Sequence, residues 1–386
     1  MQARAWMTRT VNSEEAGREV GRVIAESFAA APPAVVLCHA AVSHDQAAFL
    51  RGLRESVGPV PAIVGGSVQG MVTTTDMVDS MHCAGAVGLG GERLGLATAF
   101  VEEIQDLTAE KGRELGRRLV AGAAGPPKVV VLGYDPLCGA DLDVFLEALA
   151  AEVRCPIVGA GSGHIVGPMV RTYQYDGDRV VSHGAFGIAI SGALTCETAI
   201  CDGTVPVGVE MTVTAADGNR LLELDGRPAL DIWEEITSGG PPHIDHTAAL
   251  ALALPTENGP TLVRAAFGID AERRGIVLQA GIQVGTKVML HHRAVEPLLE
   301  ATAVMAAELA ARLRGRRAFA ALGFECGART RQFLGRDATL AENRRLQQAV
   351  APDAEWFGCF AWGELYTHDR PVFVNYSFPL LLLIDG

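Results

Sequence analysis

No two of the eight cysteines, Cys38, Cys83, Cys138, Cys155, Cys196, Cys201, Cys326 and Cys359, stand in a CxxC pair. That excludes a zinc ribbon and a thioredoxin-type motif. Thiols scattered in this way fit a reducing compartment, where they are buried as small hydrophobes. Basic patches are also scarce. The formal charge is -13, and the one basic cluster, Arg312, Arg314, Arg316 and Arg317, reads as the solvated end of a helix. An acidic chain of this kind is a poor binder of nucleic acid and of anionic membranes. Long apolar runs are missing: Pro379–Ile384 is far too short to cross a bilayer, and Met1–Thr10 lacks the apolar segment of a signal peptide. A cytoplasmic protein is expected. Charged residues make up 20% and hydrophobic ones 49%, which leaves no room for long disorder.

What is present is a repeated texture. Glycine is abundant, at 44 residues, as many short strands and tight turns require. Three times, a short continuous apolar run of the kind buried on both faces is followed by a polar loop, a helical period and a second apolar run. The first runs are Ala34–Leu37, Val129–Leu132 and Ala318–Leu322. The first two copies also resemble each other in letters. Ile63-Val64-Gly65-Gly66 matches Ile157-Val158-Gly159-Ala160, and Gly85-Ala86-Val87-Gly88 matches Gly184-Ala185-Phe186-Gly187. This points to internal duplication. The glycine-rich stretches at Ala84–Leu96 and Gly184–Ile190 read as hairpins. The class expected is α/β: repeated strand–helix–strand units with antiparallel hairpin extensions, in two domains, 1–218 and 219–386.

Ligands in α/β folds bind beyond the carboxyl ends of strands, so the loops there are the candidates. Cys326 and Arg329 follow the first strand of the third copy, and Glu364 follows the second. If Cys326 opens a helix, free backbone N–H groups and Arg329 favour its thiolate, a nucleophile for a thiol-dependent hydrolase or transferase. Such a nucleophile needs a base, and His39, His44, His164 and His183 are the candidates. The other reading of Cys326 is a buried structural thiol beside an arginine paired with Glu325 or Glu364. Arg329 and Glu364 suit the carboxylate and amine of an amino-acid-like ligand, or else satisfy each other. Gly159–Gly163 suits either an anion cradle or a tight strand exit. Asp135 and Cys138 lie on the corresponding loop of the second copy, where Asp135-Pro136 reads as a turn start. Ser43-His44-Asp45 reads as a helix cap, since neighbouring residues cannot take triad geometry. His243-Ile244-Asp245-His246, after the loop Ser238–Pro242, and His291-His292 carry ligand types, but the latter alternate across a strand. No metal site is expected, and the sequence specifies no cofactor.

Five stretches in order carry a family resemblance. Glu223-Leu224-Asp225-Gly226-Arg227-Pro228-Ala229-Leu230-Asp231 resembles the "LDG-PALD" junction of tandem FIST proteins. Pro156–Gly161 resembles their "PVVGGGA" run, Phe267-Gly268-Ile269-Asp270 their "PLGID", Phe324–Arg329 their "FSCAGR", and Gly358–Leu365 their "GFYSYGEI". The resemblance implies an intracellular sensory protein that binds a small ligand, with amino acids as one class. FIST proteins are often linked to signalling output domains. No kinase, cyclase or chemotaxis-type segment is recognisable in this chain, so a separate output protein is the expected partner. His164 stands where an acidic residue is expected, and Trp362 at a tyrosine-like position. The expected pocket lies at the domain interface, lined by Ser67, Gly161, Ser162, His164, Cys326, Arg329, Trp362 and Glu364.

Overall fold

The computed structural model describes residues 1–60, 62–106, 108–138, 142–164, 171–237, 250–256 and 261–386. Each of the three copies is a pair of parallel strands joined by a helix. In the first, Val35–Ala41 and Ala62–Val68 flank Gln46–Val57, with Val35 opposite Ala62. The second pairs Val129–Tyr134 with Ile157–Gly161 across Leu142–Val153. The third pairs Ala318–Cys326 with Glu355–Thr367 across Arg336–Val350. Side-chain caps set some helix starts: Asn12 accepts from Glu15 N, and Asp45 from Ala48 N. Each such cap is worth about 1 kcal/mol.

The repeat is larger than the sequence suggests. Every copy opens with a strand and a helix, and ends on a strand that returns between its first and second strands. These outer elements are Gln2–Thr8, Ser13–Ser27 and Ala84–Gly90 in copy one. They are Leu94–Val101, Ala109–Gly122 and Ala185–Gly192 in copy two, and Leu194–Ala199, Val295–Leu313 and Leu380–Asp385 in copy three. Strand order is first, last, second, third in all three. This corrects the hairpin expectation. Ala84–Gly90 and Leu94–Val101 do not pair, because one closes the first copy and the other opens the second, in a different sheet. Likewise Ala185–Gly192 and Leu194–Ala199 take different neighbours.

Copy one forms a six-stranded sheet, extended by the hairpin Gln174–Asp176 and Arg179–Val181. Copies two and three share an eleven-stranded sheet, joined where Glu355–Thr367 runs antiparallel to Ile157–Gly161, Trp362 opposite Gly161. The two sheets pack face to face through Val35, Leu37, Val64, Val131, Ile188 and Leu322. Helices cover the outer faces. The shared Val-Gly step has a steric cause: a Cβ on Gly65 or Gly159 would lie 1.7 or 1.9 Å from the Cys38 or Leu132 carbonyl oxygen of the adjoining strand.

A seven-stranded antiparallel sheet, Thr204–Asp217 to Lys287–Arg293 with helix Ala229–Ile236, is inserted between the first strand and first helix of copy three. Asp217-Gly218-Asn219 is a hairpin tip within it. No described helix is long and apolar enough to cross a membrane.

Candidate functional site

The three copies present equivalent stations at the end of their second strands. There the strand accepts the chain arriving at the last strand: Ala41 N donates to Cys83 O (2.8 Å), Asp135 N to Gly184 O (3.0 Å) and Cys326 N to Ser377 O (2.9 Å). The residue before each acceptor is His82, His183 or Tyr376. His183 and Tyr376 both hold left-handed backbone, φ 61° and 56°. That conformation costs a non-glycine residue about 1–3 kcal/mol and persists only where the surroundings impose it.

In copy three Cys326 is the last residue of its strand, not part of a helix-opening loop. It packs against Ala251, Val263 and Ala265 of the seven-stranded sheet and against Tyr376. Burial foremost, then the charge of Glu364, pushes the thiol far above its ordinary range. Of the two readings of Cys326, this favours the buried structural thiol. Three of the candidate bases are engaged elsewhere: His39 with Gly66 O, His44 with Ser13 Oγ and His183 with Asp135. Asp45 caps its helix, as the sequence suggests.

Arg329 and Glu364 are not brought together as a pair. The guanidinium is fully buried and faces the helices. It donates to Asp202 O (3.0 Å) and Thr302 Oγ1 (3.1 Å), and pairs with Glu342 (2.9 Å) and Glu325 (3.7 Å). Glu325 was among the partners foreseen and Glu342 was not. Its signal is the polar letters Thr339, Glu342, Asn343 and Gln347 on the buried stripe of their helix, at positions where an apolar residue is the rule. One arginine cannot balance two glutamates. Burial and the neighbouring Glu342 charge push Glu325 up, so it keeps its proton near neutrality, and Asn343 Nδ2 donates to its Oε2 (3.1 Å).

Glu364 is fully buried with half its bonding capacity used. Its Oε2 accepts from Ser377 N (3.3 Å) and Oγ (3.0 Å). Its Oε1 has no hydrogen-bond partner among the described residues, with the Cys326 thiol alongside. Burial raises the carboxyl to about 8 against the opposing bonds from Ser377. Nearby, Ala265 N donates to Asn375 Oδ1, so Asn375 Nδ2 faces Gln279 Oε1 (2.7 Å) and the buried Gln279 Nε2 is left unpaired. That amide lies 2.8 Å from where a Cβ on Gly363 would stand, and Gly363 takes a left-handed φ of 78°. Beside them Trp362 and Phe267, both half-buried, meet edge to face at 5.6 Å, and Trp362 Nε1 donates to Gln69 Oε1 (3.3 Å).

Ser67, Gly161 and Ser162 gather elsewhere, around a cavity between the two sheets of about 20 Å³ that also touches His39, Phe324 and Cys359. That volume holds about one water. Ser162 Oγ donates to Tyr173 O, and Ser67 Oγ accepts from Tyr173 N, both at 3.1 Å. Gly161 ends its strand and Gly163 N donates to Ser67 O (2.7 Å), so the glycine run is a packed strand exit. His39, stacked on Phe357, is held neutral by burial, at about 4. His164 is half-buried beside this exit. Residues 238–249, with His243, Asp245 and His246, lie outside the described residues. His291 accepts or donates at Thr204 Oγ1 (2.9 Å), and His292 alternates with it.

The order of elements, the Leu224-Asp225-Gly226 turn and the paired strand exits can be set against known proteins. The FIST N domain profile matches residues 34–227 and the FIST C domain profile residues 229–367. The chain belongs to the FIST family. FIST domains are generally considered sensory, ligand-binding domains of signal transduction. An uncharacterised protein of Mycobacterium bovis is 30% identical over 166 residues, 40% of this chain and 42% of that protein. One of Mycobacterium tuberculosis is 28% identical over 166 residues, 40% and 43% of the two chains. This FIST chain thus spans about two fifths of the length of the curated relatives it matches. The solved structure of PurLQS from Thermotoga maritima aligns over 100% of this chain and 72% of that one, at 10% identity and a TM-score of 0.25.

Proposed function

We propose that this FIST protein is a cytoplasmic sensor that binds an amino-acid-like molecule where copy three meets the seven-stranded sheet, and that it acts on a separate signalling protein. The unpaired Oε1 of Glu364 carries the reading. A buried carboxyl with one idle oxygen loses the energy of a hydrogen bond, about 1–3 kcal/mol. A ligand ammonium would restore that bond and convert the acid to its carboxylate. Gln279 Nε2, idle on the other side of Gly363, suits the ligand's carboxylate, the role foreseen for Arg329. Trp362 and Phe267 form an aromatic wall at the half-exposed edge. Because free Glu364 holds its proton to about 8, binding an ammonium releases a proton at pH 7. The thiol-dependent enzyme has no observation in its favour, since Cys326 is buried and driven upward.

The test is a thermal-shift series on the full chain with the common L-amino acids at saturating concentration, repeated with Glu364→Gln. At 100 times its Kd a ligand adds about 2.7 kcal/mol, a rise of several degrees for a chain of this size. The rise is expected in wild type and not in the variant. A flat wild-type response across the series, or an equal rise in both proteins, defeats the proposal.

A further inference from the structure

In copy two the equivalent station holds a different chemistry, independent of the sensor site. Asp135 follows the strand Val129–Tyr134, Cys138 lies on the same loop, and His183 returns beside them from 45 residues away. His183 Nδ1 lies 3.1 Å from Asp135 Oδ2 and 4.0 Å from Cys138 Sγ. The three donor atoms all fall within 4.8 Å of one another. We propose that Asp135, Cys138 and His183 bind a divalent transition-metal ion of the zinc class, with water in the fourth position.

The donor set is the first argument. One thiolate, one imidazole and one carboxylate are the ligand types zinc takes, and the thiolate disfavours magnesium and calcium. With Zn–N near 2.0–2.1 Å and Zn–S near 2.3 Å, a tetrahedron has edges of about 3.3–3.6 Å. The observed separations reach this by shifts of about 1 Å or less in the side chains.

The second argument is how the carboxylate is held. Oδ1 of Asp135 accepts from Leu137 N (2.9 Å) and Thr172 Oγ1 (2.8 Å), and Gln174 Nε2 in turn donates to Thr172 Oγ1 (3.0 Å). Oδ2 accepts from His183 N (3.0 Å) and faces the His183 ring, with a lone pair left for a metal. Outer partners of this kind orient metal ligands. A solitary His–Asp hydrogen bond would account for Asp135 and His183. It gives no reason for the Cys138 thiol to converge on the same ring nitrogen. Burial, and then the neighbouring Asp135 carboxylate, push the Cys138 thiol up. A bound dication replaces the thiol proton, so binding releases one proton to solvent. The His183 side chain is 46% exposed while Asp135 is 1% exposed, which leaves one open side for entry and for the water.

The experiment uses the full chain, stripped with chelator and reduced with a phosphine. Cobalt(II) is titrated in, and the thiolate-to-cobalt charge-transfer absorption is read. One equivalent is expected to saturate it. Cys138→Ser is expected to abolish the band, His183→Ala to weaken binding at least about tenfold, and Cys326→Ser to leave it unchanged. No band in wild type, or a band that survives Cys138→Ser, overturns the site. A second measurement needs no variant: X-ray absorption at the zinc edge of wild type carrying one equivalent. One sulfur with nitrogen and oxygen neighbours is expected, and any other sulfur number overturns the proposal.

Discussion

Two buried glutamates stand on neighbouring strands of copy three, and their surroundings differ in kind. Glu325 looks toward the helices, shares Arg329 with Glu342 and Thr302, and accepts from Asn343 Nδ2. Glu364 looks toward the inserted sheet and has only Ser377 as a strong donor. The first cluster gathers its carboxyls around a cation, although Glu342 Oε2 and Asn343 Oδ1 also have no hydrogen-bond partner among the described residues. The second leaves an acid and an amide idle behind a half-exposed aromatic pair. The lesson is that burial of a charge does not by itself mark a site. What sets Glu364 apart is burial without a paired cation among the described residues, behind a half-exposed aromatic edge.

The sharpest way to break the contrast is Arg329→Ala. It strands two carboxyls in a fully buried network, and a loss of about 3–5 kcal/mol is expected from denaturant unfolding. A loss under about 1 kcal/mol would show that the network is no scaffold. The next test is pH. Unfolded Glu364 ionises above its ordinary value of 4.5, whereas folded Glu364 holds its proton to about 8. The folded state therefore binds more protons across that window. Its stability should fall as pH rises from about 4.5 to about 8, by at most about 1.4 kcal/mol per unit for this group, and level off beyond. Glu364→Gln should flatten that slope by about one proton's worth while ligand response disappears. Glu325, also raised, keeps its own share of the slope, so only a slope unchanged by the substitution assigns the Glu364 titration to another group. Smaller still is Trp362→Phe, which removes one indole bond to Gln69 and keeps the ring. A cost of about 1 kcal/mol is expected from the same unfolding curves, with ligand response weakened but present. The smallest effect is for Cys326. Its alkylation in the native state should be slow, matching the buried Cys359 and Cys38 and not the half-buried Cys155; fast alkylation at neutral pH would restore the nucleophile.

Much of the fold was legible because strands buried on both faces leave continuous apolar runs. Ala34–Leu37, Val129–Leu132 and Ala318–Leu322 each lie in the second strand of a copy. The α/β class and the repeated unit follow from them. The pairing of the strands at Ala84–Leu96 and Gly184–Ile190 was misjudged, since proximity in sequence suggested hairpins. Their partners lie across a whole copy, a distance no local pattern encodes. Glu364 and Trp362 drew notice as residues just beyond a strand, but the strand runs on through both to Thr367, because Val372 and Val374 pair with its far end. Glu342 and Gln279 were not legible, because a buried partner on another element leaves only a polar letter on an apolar stripe. Asp135 and Cys138 drew notice on their loop. His183 is 45 residues from Cys138 and joins them only through the antiparallel return of Ala185–Gly192.

The seam between copies two and three has a mechanical consequence. Trp362 is held on three sides: its backbone is laced to Gly161 of copy two, its indole to Gln69 at the exit of copy one, and its ring face to Phe267 of the inserted sheet. Displacing this one side chain would break the indole bond to Gln69 and the contact with Phe267 together, so copy one and the insert would lose their hold on the same strand in a single step.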